Sequence, residues 1–418
     1  MATQLDVTRQ RSFDFAVIGA GVIGASTARE LARRGASVVV LDRASGVGGG
    51  CSYANAGILA PDHVSPLATP ALLREAPLQM VRRPPAVRVR PASGLAPWLG
   101  ELAASATPTR ARVAQARLRQ LANESTHLHR ELGAHSLNPT LRKTGAIDVY
   151  LRRPRGRVAG LLSPTEVRDL EPGLAPVAGG LHHTEEWVVE SRSYVRAMLD
   201  DAMAHGAEVL FGAQVQHQLL SGGRVAALDT TLGRIRVGHV VLASGVDSGV
   251  LADQVGVRLP LRGGRGYVVD VAAPDGALAQ PVRLKEHRVV ITPLPDRVRV
   301  AGSIEFGDEA RFADLRRADA LFEVATRAVP GLRGAPVLDR WAGERPCTPD
   351  GVPVIGPTHA VPNLSVATGH GMWGLILAPV TARLIAGQAI DHRDDPGLAW
   401  LSPDRFARRG AVLRRSIA

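Results

Sequence analysis

Residues 13–42 read FDFAVIGAGVIGASTARELARRGASVVVLD, and this stretch constrains how the chain must begin. Residues 15–18 are a short apolar run, as a strand buried on both faces requires. Gly19, Gly21 and Gly24 follow in G-x-G-x-x-G spacing. Ala25, Ala28, Leu31 and Ala32 then recur on one helical face, and Gly35 stops the helix. A second β-branched run, residues 37–41, ends in Asp42, eighteen residues beyond the last glycine of the motif. Glycine at 19 permits the tight turn, at 21 lets backbone approach a pyrophosphate, and at 24 lets helix and strand pack closely. The helix N-terminus faces the negative charge, and Asp42 can accept from a ribose hydroxyl. The spacing predicts a strand–helix–strand unit that holds a dinucleotide.

The next residues decide which dinucleotide. A nicotinamide-binding domain usually runs on into another strand and helix, whereas residues 43–57 read RASGVGGGCSYANAG. Such a loop can wrap a large cofactor with backbone donors and small side chains. Ser52, Asn55, Ala56 and Gly57 are its candidates for a pyrophosphate or ring edge, with a plain surface loop as the alternative. Residues 239–246, HVVLASGV, read as an apolar strand entering a small-residue turn at Ala243 and Gly245. Residues 363–377, NLSVATGHGMWGLIL, read as a strand, a glycine-rich turn and an apolar helix running to about residue 390. That turn, with Gly369, Gly371, Met372, Trp373 and Gly374, would aim backbone N–H groups at something electron-rich. The pyrimidine end of a flavin suits it, because it becomes anionic on reduction.

Composition excludes other classes. The chain has 418 residues, enough for two domains, and only two cysteines, Cys51 and Cys347, which argues against a disulfide scaffold and fits a reducing compartment. Its net charge of +11 is spread apart from a mild cluster at 82–90, RRPPAVRVR, and aromatics are only 4%, so a stacking surface for nucleic acid is not expected. The first fifteen residues hold no long apolar run, and nowhere does one reach the roughly 18–20 residues that span a bilayer. The expected location is the cytoplasm, with contact at the inner face of the cell membrane left open by the basic cluster.

IGAGVIG, the acidic strand end, CSYANAG, LASG, RPCTPDGVPVIG and TGHGMWG occur in the order found in the flavoprotein superfamily of D-amino-acid oxidase, glycine oxidase and sarcosine oxidase. Over residues 13–390 the chain resembles that family, and within it the bacterial D-amino-acid dehydrogenases. The resemblance implies an α/β fold, α+β overall. A Rossmann-like FAD-binding domain would take residues 13–75, 186–258 and 336–392. A discontinuous, antiparallel-sheet substrate domain would take 140–185 and 259–335. Residues 76–139 form a helical segment of open assignment, and 1–12 and 393–418 are tails. Residues 191–205 read as an amphipathic helix with Val195, Met198, Leu199, Ala202 and Met203 on its apolar face. Arg43 and Val215 join the cofactor-binding candidates. FAD is expected to be non-covalent, since Cys347 does not match the spacing of covalent attachment in sarcosine oxidases. No metal site is expected, because His127, His129, His182 and His183 form no convincing constellation.

The resemblance also gives a role to the arginine in WAGERPCTPDG, residues 341–351. In the family an arginine at this motif pairs with the substrate carboxylate. Arg345 holds that position, and a planar fork of fixed charge suits bidentate binding. A structural ion pair with Glu344, Asp350 or a distant acid is the alternative. Tyr267 is a candidate cap for the carboxylate or amine, or else a core tyrosine. His63 and His287 are weaker candidates, and His370 is expected to serve its turn through backbone. The implied reaction is oxidative deamination of a D-amino acid to a 2-oxo acid and ammonia, with hydride passing from Cα to flavin N5. A D-hydroxyproline dehydrogenase or a glycine/sarcosine-type oxidase is the alternative. The implied electron acceptor is a quinone of the respiratory chain.

Overall fold

The strand Arg11–Ile18 lies between two parallel neighbours, Val38–Asp42 and Gly233–Leu242. The computed structural model describes residues 11–47, 49–53, 55–81, 85–274, 276–307, 313–393 and 395–407. These divide into two units. The first takes the described residues of Met1–Ser52, Val195–Arg262 and Pro346–Ala418. The second takes those of Tyr53–Tyr194 and Gly263–Arg345.

In the first unit, Glu208–Phe211 continues the parallel order beyond Val38–Asp42. The far edge of Gly233–Leu242 is shared. Its end pairs in parallel with Leu364–Thr368, and its start pairs with the antiparallel meander of Val215–Ser221 and Arg224–Thr230. Val38–Leu41 and all of Leu364–Thr368 are buried, which explains the unbroken apolar run of the first and the small, uncharged residues of the second. Helices Val22–Arg33 and Gly374–Ala389 pack against each other and against this sheet. Each fully buried valine or leucine here contributes about 1.5–3 kcal/mol of transfer free energy. Among the described residues, no helix is long and apolar enough to cross a membrane.

The second unit is built on another eight-stranded sheet. From one edge its neighbours run Val337–Cys347, Arg262–Ala272, Arg297–Phe306, Val289–Pro293, Val282–Leu284, Ala146–Tyr150 and Gly179–His183. The antiparallel sheet expected of the substrate domain is present, with two parallel pairings in it, Arg297–Phe306 with Val87–Val89 and Val282–Leu284 with Ala146–Tyr150. The partners in each lie far apart in sequence, so no hairpin imposes their direction. Helix Arg316–Ala328 buries Ala318, Leu321, Val324 and Ala325 among Tyr267, Val269, Val300 and Ile291. Residues 70–134 carry helices Pro70–Val81, Leu95–Ser105 and Pro108–Ala134. The last starts at a proline, and the Thr107 side chain accepts from the Arg110 N–H.

Several boundaries differ from the sequence reading. Residues 53–75, 186–194 and 336–345, expected with the nucleotide domain, belong to the second unit. Ile58–Leu59, Trp187–Val188 and Arg142–Lys143 form a small sheet there, and the strand carrying Arg345 is an edge of the larger one. Residues 259–262 go to the first unit, and the helical segment 76–139 joins the second. Met203 is exposed, because it falls at the rim of the apolar face that Val195, Met198, Leu199 and Ala202 bury. Of the basic cluster 82–90, Arg82, Arg83 and Pro84 lie outside the described residues, as do 1–10 and 408–418 of the tails.

Candidate functional site

The first unit gathers most of the cofactor-binding candidates at the carboxyl ends of its parallel strands. Gly19 turns at φ +108°, and a Cβ there would lie 2.6 Å from the Ala243 carbonyl oxygen. A Cβ on Gly24 would overlap the Gly19 carbonyl. Gly19 and Gly24 therefore serve the tight turn and the close helix–strand packing that their spacing predicts. The Ala20 N–H donates to Asp42 Oδ2 at 2.7 Å and the Ala44 N–H to Asp42 Oδ1 at 2.8 Å, which aims the carboxylate along the turn. The Val22 N–H donates to Ser52 Oγ at 3.0 Å, so Ser52 closes over Gly21. Neither Val22–Arg33 nor Gly374–Ala389 has a side-chain cap. Their first residues adjoin, since a Cβ on Gly374 would lie 3.7 Å from Val22 Cγ2. Two uncapped helix N-termini thus meet beside the glycine turn, an arrangement that suits a pyrophosphate and a second electron-rich group.

The turn after Leu364–Thr368 is built into this corner. Thr368 Oγ1 donates to the Gly245 carbonyl at 2.8 Å, and the Gly371 N–H donates to the Pro346 carbonyl at 2.8 Å. The Trp373 N–H donates to the His370 carbonyl, while Met372 stays half-exposed. His370 is buried, with Nε2 3.0 Å from Thr381 Oγ1, so its ring is part of the packing, while its backbone shapes the turn. Two candidates stand apart. Arg43 forms an exposed ion pair with Asp247 at 2.9 Å, and Val215 is a core residue opposite Thr230.

Burial pushes the His370 imidazole down to about 3 and that of His239, aided by the charge of Arg224, to about 4. Values below the unfolded 6.5 mean that folding favours the neutral rings. Their contribution is complete above pH 6.5 and is lost as pH falls toward 4. Between pH 6.5 and 4.5 the pair is expected to remove about 4 kcal/mol of stability, at about 1.4 kcal/mol per unit for each ring. Urea unfolding at both pH values measures this, and His370→Gln should roughly halve the slope.

In the second unit, Asn55, Ala56 and Gly57 are tied down from beneath. Arg299 Nη1 donates to the Asn55 carbonyl at 3.0 Å and Thr292 Oγ1 to the Ala56 carbonyl at 2.7 Å. Gly57 accepts from the Val189 N–H at 2.8 Å. Arg299 is fully buried and grips Asp270 with Nε and Nη2, each at 2.8 Å. Arg297 adds a bond from Nε to Asp270 at 2.9 Å and one from Nη2 to Glu190 at 3.1 Å. The sequence reading missed this network. The signal was the alternation in DRVRV, which puts both arginines on one strand face.

On strand Val337–Cys347, Trp341, Gly343 and Arg345 share a face. The Trp341 ring folds over Gly343, stands 5.5 Å from the Tyr53 ring, and packs with Val268 and Ala301. The Arg345 guanidinium crosses the neighbouring strand over Gly266, and Nη1 donates to the Ser303 carbonyl at 3.0 Å. Two of the alternative partners for Arg345 hold other arginines. Glu344 holds Arg265 at 2.7 Å, and Asp350 holds Arg405 at 2.8 Å. Tyr267 corrects an expectation. It is fully buried on the opposite strand face, its hydroxyl donates to Glu305 at 3.3 Å, and Arg317 lies over its ring. It is a core tyrosine rather than a cap beside Arg345.

His63, His183 and Glu186 bring potential ligand atoms within 4.8 Å of one another. Arg283 already supplies the positive charge there. It donates to both Glu186 oxygens, at 2.6 and 2.9 Å, and its Nη2 lies 3.3 Å from His63 Nε2. Burial, then Arg283, pushes His63 down to about 4. Burial raises the Asp148 carboxyl, but His183, with Nε2 3.7 Å away, and the charges of Arg283 and Lys285 hold it far below the usual range. The cluster is a buried ion network. His287 sits in the turn between Val282–Leu284 and Val289–Pro293.

Comparison with known proteins agrees with this geometry. The family model for FAD dependent oxidoreductases matches residues 14–388. A D-amino acid dehydrogenase of Paramagnetospirillum magneticum is 32% identical, covering 93% of this chain and 98% of that protein. One from Neisseria gonorrhoeae is 30% identical, over 91% and 97%. Among solved structures, glycine oxidase from Geobacillus kaustophilus superposes with a TM-score of 0.73 at 25% identity, covering 95% of this chain and 99% of that one. L-proline dehydrogenase from P. horikoshii gives 0.71 at 17%, over 95% and 98%, a likeness of fold alone. With the glycine turn, the strand-end acid and paired helix N-termini in place, this chain belongs to the FAD-dependent oxidoreductase family.

Proposed function

We propose that this enzyme oxidatively deaminates D-amino acids. The observation that carries the reading is Arg345, a forked cation laid across Gly266 on the strand face that also carries Trp341, in a chain about a third identical to D-amino acid dehydrogenases. The substrate carboxylate pairs with the guanidinium, which fixes the amino acid's orientation. Trp341 and Tyr53 supply an apolar wall for its side chain. The amine gives up a proton, hydride leaves Cα, and the nitrogen lone pair forms the C=N bond. Water then converts the imino acid to a 2-oxo acid and ammonia. Bound FAD supplies the two-electron acceptor for that hydride. Gly19, Gly21, Gly24, Asp42 and Ser52 hold the dinucleotide, and the turn from Gly369 to Gly374 serves the isoalloxazine. Cys347 is buried in a bridge with His370, and the reading is of non-covalent FAD, released into the supernatant on acid precipitation.

The test is anaerobic addition of D-alanine, D-proline and L-alanine to the FAD-loaded protein. Bleaching of the visible flavin bands by D- but not L-alanine is expected. Bleaching by none of the amino acids would sink the substrate class. The glycine oxidase likeness favours a glycine/sarcosine-type amine as second reading, with D-hydroxyproline as a third, and reduction by glycine faster than by D-alanine would select the former.

We place the reoxidising partner as a membrane quinone. Support comes from helix Pro70–Val81, which exposes Leu73, Leu78, Met80 and Val81 while burying Gln79, and which precedes Arg82 and Arg83 in sequence. Apolar residues outward beside basic ones suit an anionic bilayer surface. Pelleting with vesicles containing phosphatidylglycerol is expected, and Leu78→Ser with Val81→Ser should abolish it. Equal pelleting of that variant would remove the helix from the contact.

A further inference from the structure

Two strand features converge on Arg345. Strands Arg262–Ala272 and Arg297–Phe306 run antiparallel, with Arg265 opposite Glu305 and Tyr267 opposite Gly302. Between those pairs one residue, Gly266, faces two, Ser303 and Ile304, which makes a bulge. Ser303 sits there at φ +54°, a conformation that side chains other than glycine rarely adopt. Such strain persists only where surrounding structure imposes it, and it marks functional positions. Here it turns the Ser303 carbonyl onto Arg345 Nη1 at 3.0 Å. The side chain of Arg345 must cross the intervening strand to reach it. It crosses at Gly266, where a Cβ would collide with the guanidinium carbon and both terminal nitrogens. On the other sheet face Glu344 crosses Gly263 in the same way and is held by Arg265.

We infer that Gly266 and the Ser303 bulge form a seat that fixes the Arg345 guanidinium, making both of them positioning residues for carboxylate binding. The inference rests on the reading of Arg345 as the carboxylate ligand. An unseated arginine would sample many rotamers and give up orientation on each encounter. The seat leaves the fork's plane set by backbone, with one side anchored on a carbonyl.

The probe is propionate, which has the carboxylate of alanine without the amine, titrated calorimetrically into FAD-loaded protein. Gly266→Ala and Ser303→Val are each expected to weaken propionate at least about tenfold, with the FAD content unchanged. Valine at 303 tests backbone strain rather than crowding, because Ser303 borders a cavity of about 170 Å³ lined also by Pro85, Arg316, Arg317, Ala320 and Leu321. A β-branched residue resists positive φ and would pull the carbonyl away. In an Arg345→Ala background neither change should weaken propionate further, which a merely structural role would not predict. A folded Gly266→Ala or Ser303→Val protein that binds propionate within twofold of the parent overturns the seat. If Gly266→Ala does not fold, Ser303→Val carries the test. Should Arg345→Ala itself bind propionate normally, the carboxylate reading fails instead.

Discussion

Arg345→Ala is expected to raise the D-alanine concentration for half-maximal flavin reduction by about 30-fold to several thousandfold. That range is about 2–5 kcal/mol, the usual cost of removing one partner of a desolvated, hydrogen-bonded charge pair. The side chain lies flat against Gly266 and is anchored at Ser303, so it is pre-oriented, and little ordering entropy opposes binding. Arg345→Lys should recover only part of the loss, because an ammonium cannot form two parallel bonds to a carboxylate. Stopped-flow reduction over a D-alanine series measures both variants. Because Glu344 and Asp350 are satisfied by Arg265 and Arg405, unfolding midpoints should stay close to the parent. A variant that loses folding rather than binding would return Arg345 to the structural role first set against it.

Asp270→Ala is expected to destabilise the second unit by about 3–5 kcal/mol, because breaking a buried ion pair leaves an uncompensated charge. Here one carboxylate serves two arginines. Arg299, fully buried, has both oxygens of Asp270, and Arg297 shares one of them. Glu190 is the nearest remaining acid, 3.5 Å from Arg299 Nη1, too far to replace a bidentate pair. Arg299 also holds the Asn55 carbonyl, so the variant should loosen the loop at Asn55–Gly57 and bind FAD more weakly. Removing Asp229, whose pair with Arg234 is exposed, is the control and should leave stability close to the parent. Urea unfolding, with flavin release followed by fluorescence, reads both effects.

The parts legible in sequence were those with a local cause. Gly19 and Gly24 make their turn and close packing within one strand–helix–strand unit, and Asp42 ends its second strand, so spacing alone located them. The turn at Gly369–Gly374 was likewise readable as strand, glycines and helix. What escaped depends on register between distant strands. Nothing near Gly266 in sequence says that Arg345, seventy-nine residues later, lies across it. The bulge at Ser303 is set by how two strands align, and its positive φ by what the carbonyl must reach. Tyr267 shows the converse. A tyrosine on a strand beside the right motif suggested contact with substrate, but strand alternation put it on the other face. The unit boundary at Ser52 and Tyr53 was missed because a glycine-rich loop carries no periodicity to divide it.

The pairing of Gly233–Leu242 with Leu364–Thr368 has a consequence for synthesis. The ribosome makes residue 364 some 320 residues after Asp42, or about 16–65 s later at ordinary elongation rates. Through that interval the nascent first unit has its glycine turn but lacks both the strand and the helix that complete the cradle. Its apolar strands wait with an open edge, and such non-local closure is slow. Cofactor loading is therefore expected only after residues 364–389 are made, and nascent chains arrested before residue 363 should recruit chaperones and retain no flavin.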